Sequence, residues 1–232
     1  MREIVFDTET TGLSPRDGHR LVEIGCVELL NGYPTGRVFH QYLNPQRDMP
    51  VEAFNVHGLS AEFLRDKPLF SSVAAEFLAF IGEDATLVAH NANFDVGFLN
   101  AELSALGHPT IGYERVLDTL VLARRRNPGG RHDLDTLCSR YGIDNSRRTR
   151  HGALLDAEIL AEVYVELQGG RQAGLALSHA ASEDGQWRKA ARRPRPLLPR
   201  LTAAELEAHR AFVAKMGPKA IWLAYDEAQP QA

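Results

Sequence analysis

Two cysteines in 232 residues, Cys26 and Cys138, are too few for a disulfide or metal framework. Both lie in apolar periodic segments and read as buried thiols in a reducing compartment. No apolar run is long enough to span a bilayer. Met1-Arg2-Glu3 leads into a short strand-like stretch without the apolar region and cleavage site of a secretory signal. A cytoplasmic protein with no membrane partner is the expectation. There is no P-loop, nucleophile elbow, dinucleotide fingerprint or internal repeat.

Positive charge is also scarce. The formal net charge is −4, which argues against a protein that coats nucleic acid indiscriminately. The imbalance is uneven. From Arg171 onward ten Lys/Arg face six Asp/Glu, a balance of +4. The first 170 residues carry sixteen Lys/Arg and twenty-four Asp/Glu, a balance of −8. The chain reads as an acidic body with a basic tail. Acids clustered around metal ions would still permit such a body to bind nucleic acid.

What is present is a sheet followed by an alternation of strands and helices. Residues 3–8 read as a buried strand, Leu21 to Leu30 as a second, and Arg37 to Leu43 as a third, with Asn31-Gly32 a hairpin turn. Residues 51–68 read as loop and short helix. Ser71 or Ser72 is placed to cap a helix with Val73, Phe77, Leu78 and Ile81 on its apolar face. Thr86 to Ala89 reads as a short buried strand, Phe94 to Leu106 as a helix, and Val116-Leu117 as a fifth strand leading into a helix over 119–126. Helices over 133–141 and 153–167 follow, the last the best in the chain. Three antiparallel strands, then two strands alternating with helices, predict an α/β domain with a mixed sheet. The expected divisions are a domain over 1–170, a flexible basic, Pro-rich linker over 171–200, and a C-terminal segment over 201–232. In that segment Thr202-x-x-Glu205 forms a capping box, and Leu206, Phe212, Val213 and Met216 can share a helical face. One short helix of this kind cannot bury itself and is expected to dock on something else.

The chain is organised around Ile4-Val5-Phe6-Asp7-Thr8-Glu9-Thr10-Thr11-Gly12. Residues i and i+2 of a strand point to one side, so Asp7 and Glu9 aim two carboxylates at one place. Such a pair repels unless a cation lies between its members or one is protonated. Alone it reads better as a strand running into a solvated acidic turn. Downstream, Asp95 falls in the first turn of the 94–106 helix, where the helix dipole favours a carboxylate. His151 lies just before the last long helix and Asp156 in its early turns. Each has an ordinary reading as a helix-start acid or a surface histidine. Four acids at the ends of core elements, with a histidine five residues before the last, point jointly to metal-assisted phosphate chemistry.

These residues resemble the DEDDh 3′–5′ exonucleases. Asp7-x-Glu9-Thr-Thr-Gly matches their first motif, His90-Asn-Ala-Asn-Phe-Asp95 the second and His151-x-x-x-x-Asp156 the third, over roughly residues 1–170. Glu52-Ala-Phe-Asn-Val-His57-Gly-Leu further resembles a substrate-contacting loop of the proofreading exonucleases of bacterial replicative polymerases. The resemblance implies a ribonuclease-H-like fold and two divalent cations, Mg2+ or Mn2+, held by Asp7, Glu9, Asp95 and Asp156. It implies His151 as general base, and substrate contacts from Asp7, Thr8, Glu9, Glu52, His57, Phe94 and Asp156. The implied substrate is a single-stranded or frayed 3′ end of DNA. Implied partners are the polymerase (alpha) subunit through the C-terminal segment, a sliding clamp through Gln172, Leu175 and Leu177, and a small third core subunit. His132 and His179 are assigned no role. An RNA-processing exoribonuclease of the same type would share every catalytic residue, and an inactive nucleic-acid-binding module would share the fold.

Overall fold

A computed structural model describes residues 1–148, 150–170, 201–218 and 220–222. The chain divides into two units, Met1–Leu175 and Ala176–Ala232. The first is built on a five-stranded sheet in the order β3-β2-β1-β4-β5. Strands β1 (Arg2–Thr10), β2 (Leu21–Leu30) and β3 (Tyr33–Tyr42) form an antiparallel meander, and β4 (Thr86–Ala89) and β5 (Val116–Asp118) add to it in parallel with β1. Asn31 and Gly32, both at positive φ, make the tight turn between β2 and β3. The third strand begins four residues before its expected start. Tyr33 and Pro34 pair with Leu30 and Leu29 across the turn, although their exposed side chains give no apolar alternation to read.

The central strand is buried on both faces, and its alternation assigns each residue a neighbour. Ile4 and Phe6 pack with α3 (Phe70–Ile81) and α4 (Asn93–Ala105). Val5 points the other way, toward α7 (Ala153–Leu167), with Val27, Val88, Leu160 and Tyr164. A third cluster, including Ala123, Leu137 and Ile159, packs α5 (Thr119–Arg126) and α6 (Leu134–Tyr141) against α7. The result is helix, sheet, helix in three layers. Period two then carries Asp7 and Glu9 to the α7 face and Thr8 to the α4 face. Two short helices, α1 (Val51–His57) and α2 (Ala61–Leu64), follow β3.

One expected cap is wrong. Leu69 is the residue before α3 and no side chain caps it; Ser71 and Ser72 lie inside the first turn, where the Ser72 hydroxyl donates to the Leu69 carbonyl at 2.7 Å. Burial of Phe70 draws the helix start forward. Both cysteines are free and buried.

In the second unit, α8 (Ala203–Lys215) carries the capping box: the Glu205 amide donates to the Thr202 hydroxyl, and the Thr202 amide donates to the Glu205 carboxylate. Its Leu206, Phe212 and Met216 are exposed. The rings of His209 and Trp222 meet edge to face at 6.0 Å. Gln172, Leu175 and Leu177 lie outside the described residues. Among those described, no helix is long and apolar enough to cross a membrane.

Gly25 of β2 sits opposite Asp7 and lets α7 approach the sheet. A Cβ there would collide with the backbone of Ala153 and Leu154. Gly25→Ala is therefore expected to destabilise the protein by about 1–3 kcal/mol through overpacking, and to displace the helix end that carries Asp156. Gly97→Ala, in open space on α4, should instead be neutral or stabilising. Thermal unfolding of the two variants compares them; equal shifts would contradict the close approach at Gly25.

Candidate active site

The acids collect at one end of the sheet. Asp7 and Glu9 close β1, where pairing with β2 shifts register after Glu9. A bulge of this kind re-aims side chains, and such irregularities concentrate beside active sites. Asp95 comes from the first turn of α4 and Asp156 from the first turn of α7. Thr8 fixes Asp95: its amide and hydroxyl both donate to Asp95 Oδ1, at 3.1 and 2.6 Å. The turn into α4 is itself pinned. Asn91 adopts a left-handed conformation, its amide donates to Asp118 Oδ1, and the His90 ring meets the Thr119 hydroxyl at 2.9 Å.

Their electrostatics are those of a crowded anionic site. Burial pushes the Asp7 carboxyl well above the ordinary carboxylate range, and Asp95, Glu9 and Asp156 push it further. Glu9 is pushed up to about 8 by burial and by Asp156, Glu23 and Asp95. Asp95 is pushed up to about 7 by burial, against the opposing hydrogen bonds from Thr8. Only Asp156 is lowered. Burial acts upward on it too, but the Arg148 guanidinium, through its hydrogen bonds and its charge and with the His151 ring close by, outweighs burial.

Arg148 has no counterpart in the sequence reading. Its side chain is buried, Nε donates to Asp156 Oδ1 at 2.6 Å, and a terminal nitrogen donates to Oδ2 at 2.8 Å. The other terminal nitrogen donates to both Asp135 oxygens at 2.9 Å. The nitrogen on Oδ2 also lies 2.7 Å from His151 Nδ1. An Nδ1 that accepts from a guanidinium has no proton for a carboxylate. The 3.2 Å separation of His151 Nδ1 from Asp156 is then a close approach and not a second hydrogen bond. The basic run Arg147-Arg148 just before His151 was the available signal, but nothing in it singled out which arginine turns inward.

A cleft of about 620 Å³ opens beside the acids, within the range of small-molecule sites. Its walls include Asp7, Thr8, Glu9, Asp95, Phe94 and His151, with Glu52 and His57 from α1. Asp7, Glu9, Asp95, His151 and the α1 residues therefore share this cleft, while Asp156 does not line it and comes within 4.8 Å of Glu9 and His151. Phe94 is half-buried and its ring leans on Phe98 at 5.1 Å, so one side packs in the core and the residue still borders the cleft. His57 is buried, and its Nδ1 accepts from the Leu59 amide at 3.0 Å. That fixes the proton of the neutral ring on Nε2. Burial holds the ring below its usual pKa. Nε2 has no hydrogen-bond partner; the Thr10 backbone is near enough to favour protonation but lies outside hydrogen-bond geometry. A buried donor without a partner, in the wall of a cleft, suits a ligand oxygen.

The donor set fits hard divalent cations. Ligand atoms of Glu9, His151 and Asp156 lie within 4.8 Å of one another. At an effective dielectric near 20, two unit charges that far apart repel by about 3–4 kcal/mol, so ionised acids in this cleft need positive charge among them.

Residues 4–164 match the model of the Exonuclease (RNase_T) family. The chain is 49% identical over 228 residues to the DNA polymerase III subunit epsilon of Rickettsia prowazekii, covering 93% of this chain and 97% of that one. It is 44% identical over 238 residues to the subunit epsilon of Escherichia coli, covering 96% and 98%. The chain belongs to the exonuclease family of the DNA polymerase III epsilon subunits. Exonuclease X, solved in complex with 5′-overhanging duplex DNA, superposes with a TM-score of 0.55 at 26% identity, over 72% of this chain and 90% of that one. The nuclease domain of 3′hExo, a DEDDh family member, superposes at 0.61 and 17% identity, over 72% and 92%, a likeness of fold. Membership makes the protein a metal-dependent 3′–5′ exonuclease with a ribonuclease-H-like fold.

The raised carboxyls predict an unusual pH dependence. Glu9 keeps its proton in the folded state up to about pH 8, whereas the unfolded chain loses it near 4.5. Through that window the native state binds more protons, so stability falls as pH rises. In chelator, the melting temperature should fall between about pH 5 and pH 8. Glu9→Gln should flatten the fall, and a saturating divalent cation should reduce it. Parallel curves for wild type and Glu9→Gln would show that Glu9 is not a source.

Proposed function

We propose that this chain is the proofreading exonuclease of a bacterial replicative DNA polymerase. It hydrolyses the last phosphodiester of a single-stranded or frayed 3′ end of DNA and releases nucleoside 5′-monophosphates. The observation that carries this reading is the convergence of Asp7, Glu9, Asp95 and Asp156 at one end of the sheet, where two clefts meet and both are lined by Asp7 and His151.

Two ions fit the donor set. Asp7, Glu9 and Asp156 would hold one and Asp95, with Asp7, the other; carboxylate oxygens suit Mg2+ or Mn2+ better than zinc. When bound, such ions neutralise the phosphodiester's charge and lower the pKa of water. The protein's own residues do the rest. Glu52 and the His57 Nε2–H face the cleft where the terminal nucleoside would lie, an acceptor and a donor for its sugar oxygens. Thr8 borders it, and Phe94 offers a ring face to the base. His151, exposed at the rim, takes the proton from the attacking water; an imidazole titrates near the operating pH. Arg148 holds His151 through Nδ1, which leaves the neutral ring's proton on Nε2, so action as base requires that contact to be given up when substrate binds.

Asp7→Asn and Asp156→Asn are expected to abolish digestion of a 3′-labelled mispaired primer in Mg2+, as chelator should for wild type. His151→Gln should lower kcat by about 10²–10⁴-fold, the contribution of a general base, with cation affinity by calorimetry unchanged. Near-wild-type turnover in Asp7→Asn or Asp156→Asn would remove the metal-site reading. An unaltered acidic limb in the pH–rate profile of His151→Gln would remove its role as base.

The remaining chain is proposed as a tether. The nuclease domain is 1–170, the linker 171–200 and the docking segment 201–232. The exposed Leu206, Phe212 and Met216 support docking on the polymerase subunit, which would raise the local concentration of nuclease at the primer end. Residues 172–177 are proposed to bind a sliding clamp, and a small third subunit to complete the core. Truncation after Gly170 should spare hydrolysis of free oligonucleotides and abolish co-purification with the polymerase subunit; co-purification that persists would place the tether elsewhere.

A further inference from the structure

A second cleft, about 780 Å³, lies on the other side of Asp7. It shares Asp7, His90, Asn91 and His151 with the first, so the two meet at the acid cluster. Its outer wall is different in charge. Arg124, from the last turn of α5, and Arg131, from the loop that follows, line it and are exposed. Arg124 forms no hydrogen bond or ion pair among the described residues. Arg131 reaches only Asp133, at 3.0 Å, in an exposed pair of the kind that contributes little.

Four acids also line this cleft, and none pairs with Arg124: Asp7 belongs to the acid cluster, Asp156 is held by Arg148, and Asp133 and Asp135 have partners of their own. Asp133 is engaged at the start of α6, accepting from the Thr136 amide and hydroxyl at 3.0 and 2.9 Å. Asp135 is taken by Arg148 on both oxygens and by the Asn145 amide group. Between the arginines, Gly129 and Gly130 both adopt positive φ, and no atom stands within 4 Å of where a Gly129 side chain would begin. The wall there is low and open. In a chain of net charge −4, one unpaired guanidinium and one held only in an exposed, weak pair, beside a phosphate-processing centre, form a place for phosphates.

Chemistry fixes which phosphates. Release of a 5′-mononucleotide breaks the bond to the 3′-oxygen of the preceding nucleotide. With the terminal nucleoside in the first cleft and the scissile phosphate at the acids, the preceding nucleotides leave on the far side of Asp7. We propose that Arg124 and Arg131 bind the sugar-phosphate backbone of the nucleotides preceding the scissile bond. The strand thus crosses the acid cluster from the arginine cleft into the nucleoside cleft. This rests on the exonuclease reading above and adds the direction and footing of the strand.

The test compares a substrate that reaches the second cleft with one that does not. A single-stranded oligodeoxynucleotide does; the p-nitrophenyl ester of thymidine 5′-monophosphate fills only the nucleoside cleft and the acid cluster. Arg124→Gln plus Arg131→Gln should raise KM for the oligonucleotide about tenfold near 0.1 M salt. Each arginine should contribute about 0.7 to the slope of log(kcat/KM) against log salt, so the double variant should be shallower by about 1.4. Kinetics on the ester should stay within about twofold of wild type. Arg124→Glu should weaken the oligonucleotide further than Arg124→Gln. An unchanged oligonucleotide KM and salt slope would overturn the proposal, as would equal losses on both substrates, which would place the arginines' effect at the acids. A wild-type protein that cleaves neither substrate would defeat the exonuclease reading itself. Wild-type hydrolysis of both substrates, with an oligonucleotide KM and salt slope that the double variant leaves unchanged, would defeat only the strand path.

Discussion

Repulsion among four carboxylates is the constraint that the rest of the structure answers. Left to themselves, Asp7, Glu9, Asp95 and Asp156 would separate into water. Between Glu9 and Asp156, both ionised, that repulsion is about 3–4 kcal/mol, a sizeable share of the roughly 5–15 kcal/mol that holds a typical domain together. They stay together because each is rooted in an element with buried contacts of its own. Asp7 and Glu9 end the central strand, whose Ile4, Val5 and Phe6 are buried on both faces. Asp156 is fixed by the helix that packs Leu160 and Tyr164 under the sheet. Asp95 is fixed by α4, with Val96, Phe98 and Leu99 in the core. The hydrophobic layers therefore hold the acids in proximity, and the site stores part of that packing energy as raised carboxyl pKa values.

The protein relieves the strain in two ways that differ in kind. At Asp95 the relief is neutral: two hydrogen bonds from Thr8 stabilise the carboxylate without a countercharge, and its pKa still stands near 7. At Asp156 the relief is ionic, from a buried guanidinium that also engages Asp135 and the His151 ring. Arg148 thereby links one metal-type carboxylate to the residue assigned as base. Were a cation to use Asp156, it would meet a carboxylate already engaged by Arg148, so its loading and the placement of His151 would be coupled through one side chain.

Charge is also divided around the site. The acids occupy the floor, the α1 segment with Glu52 and His57 closes one side, and arginines whose neighbouring acids are already engaged border the other. An overall negative chain is in this way compatible with a polyanionic substrate: ions offset the centre, and guanidinium groups face the strand only along its approach. The epsilon-type relatives match over nearly the whole length of this chain, including the C-terminal helix, whose Leu206, Phe212 and Met216 are exposed while Val213 is buried.

Much of this was legible in the residues. The α/β class, the five strands, the span of α7 from Ala153 to Leu167 and the Thr202–Glu205 box follow from period, turn chemistry and capping, each set by neighbours a few positions away. So does the pairing of Asp7 with Glu9, which needs only the two-residue repeat of a strand. The start of β3 escaped because Tyr33–Val38 is exposed and lacks alternation, and the start of α3 because burial of Phe70 overrode the serine caps. Tertiary structure alone decided that Gly25 is the gap through which α7 reaches the sheet, that Arg148 and not Arg147 turns inward to Asp156, that His57 presents an unpaired Nε2–H, and that a second, arginine-walled cleft meets the first at Asp7. These depend on distances between segments far apart in the chain. Local propensity encodes which way a side chain faces along its own element; what it then meets is set by how the layers pack.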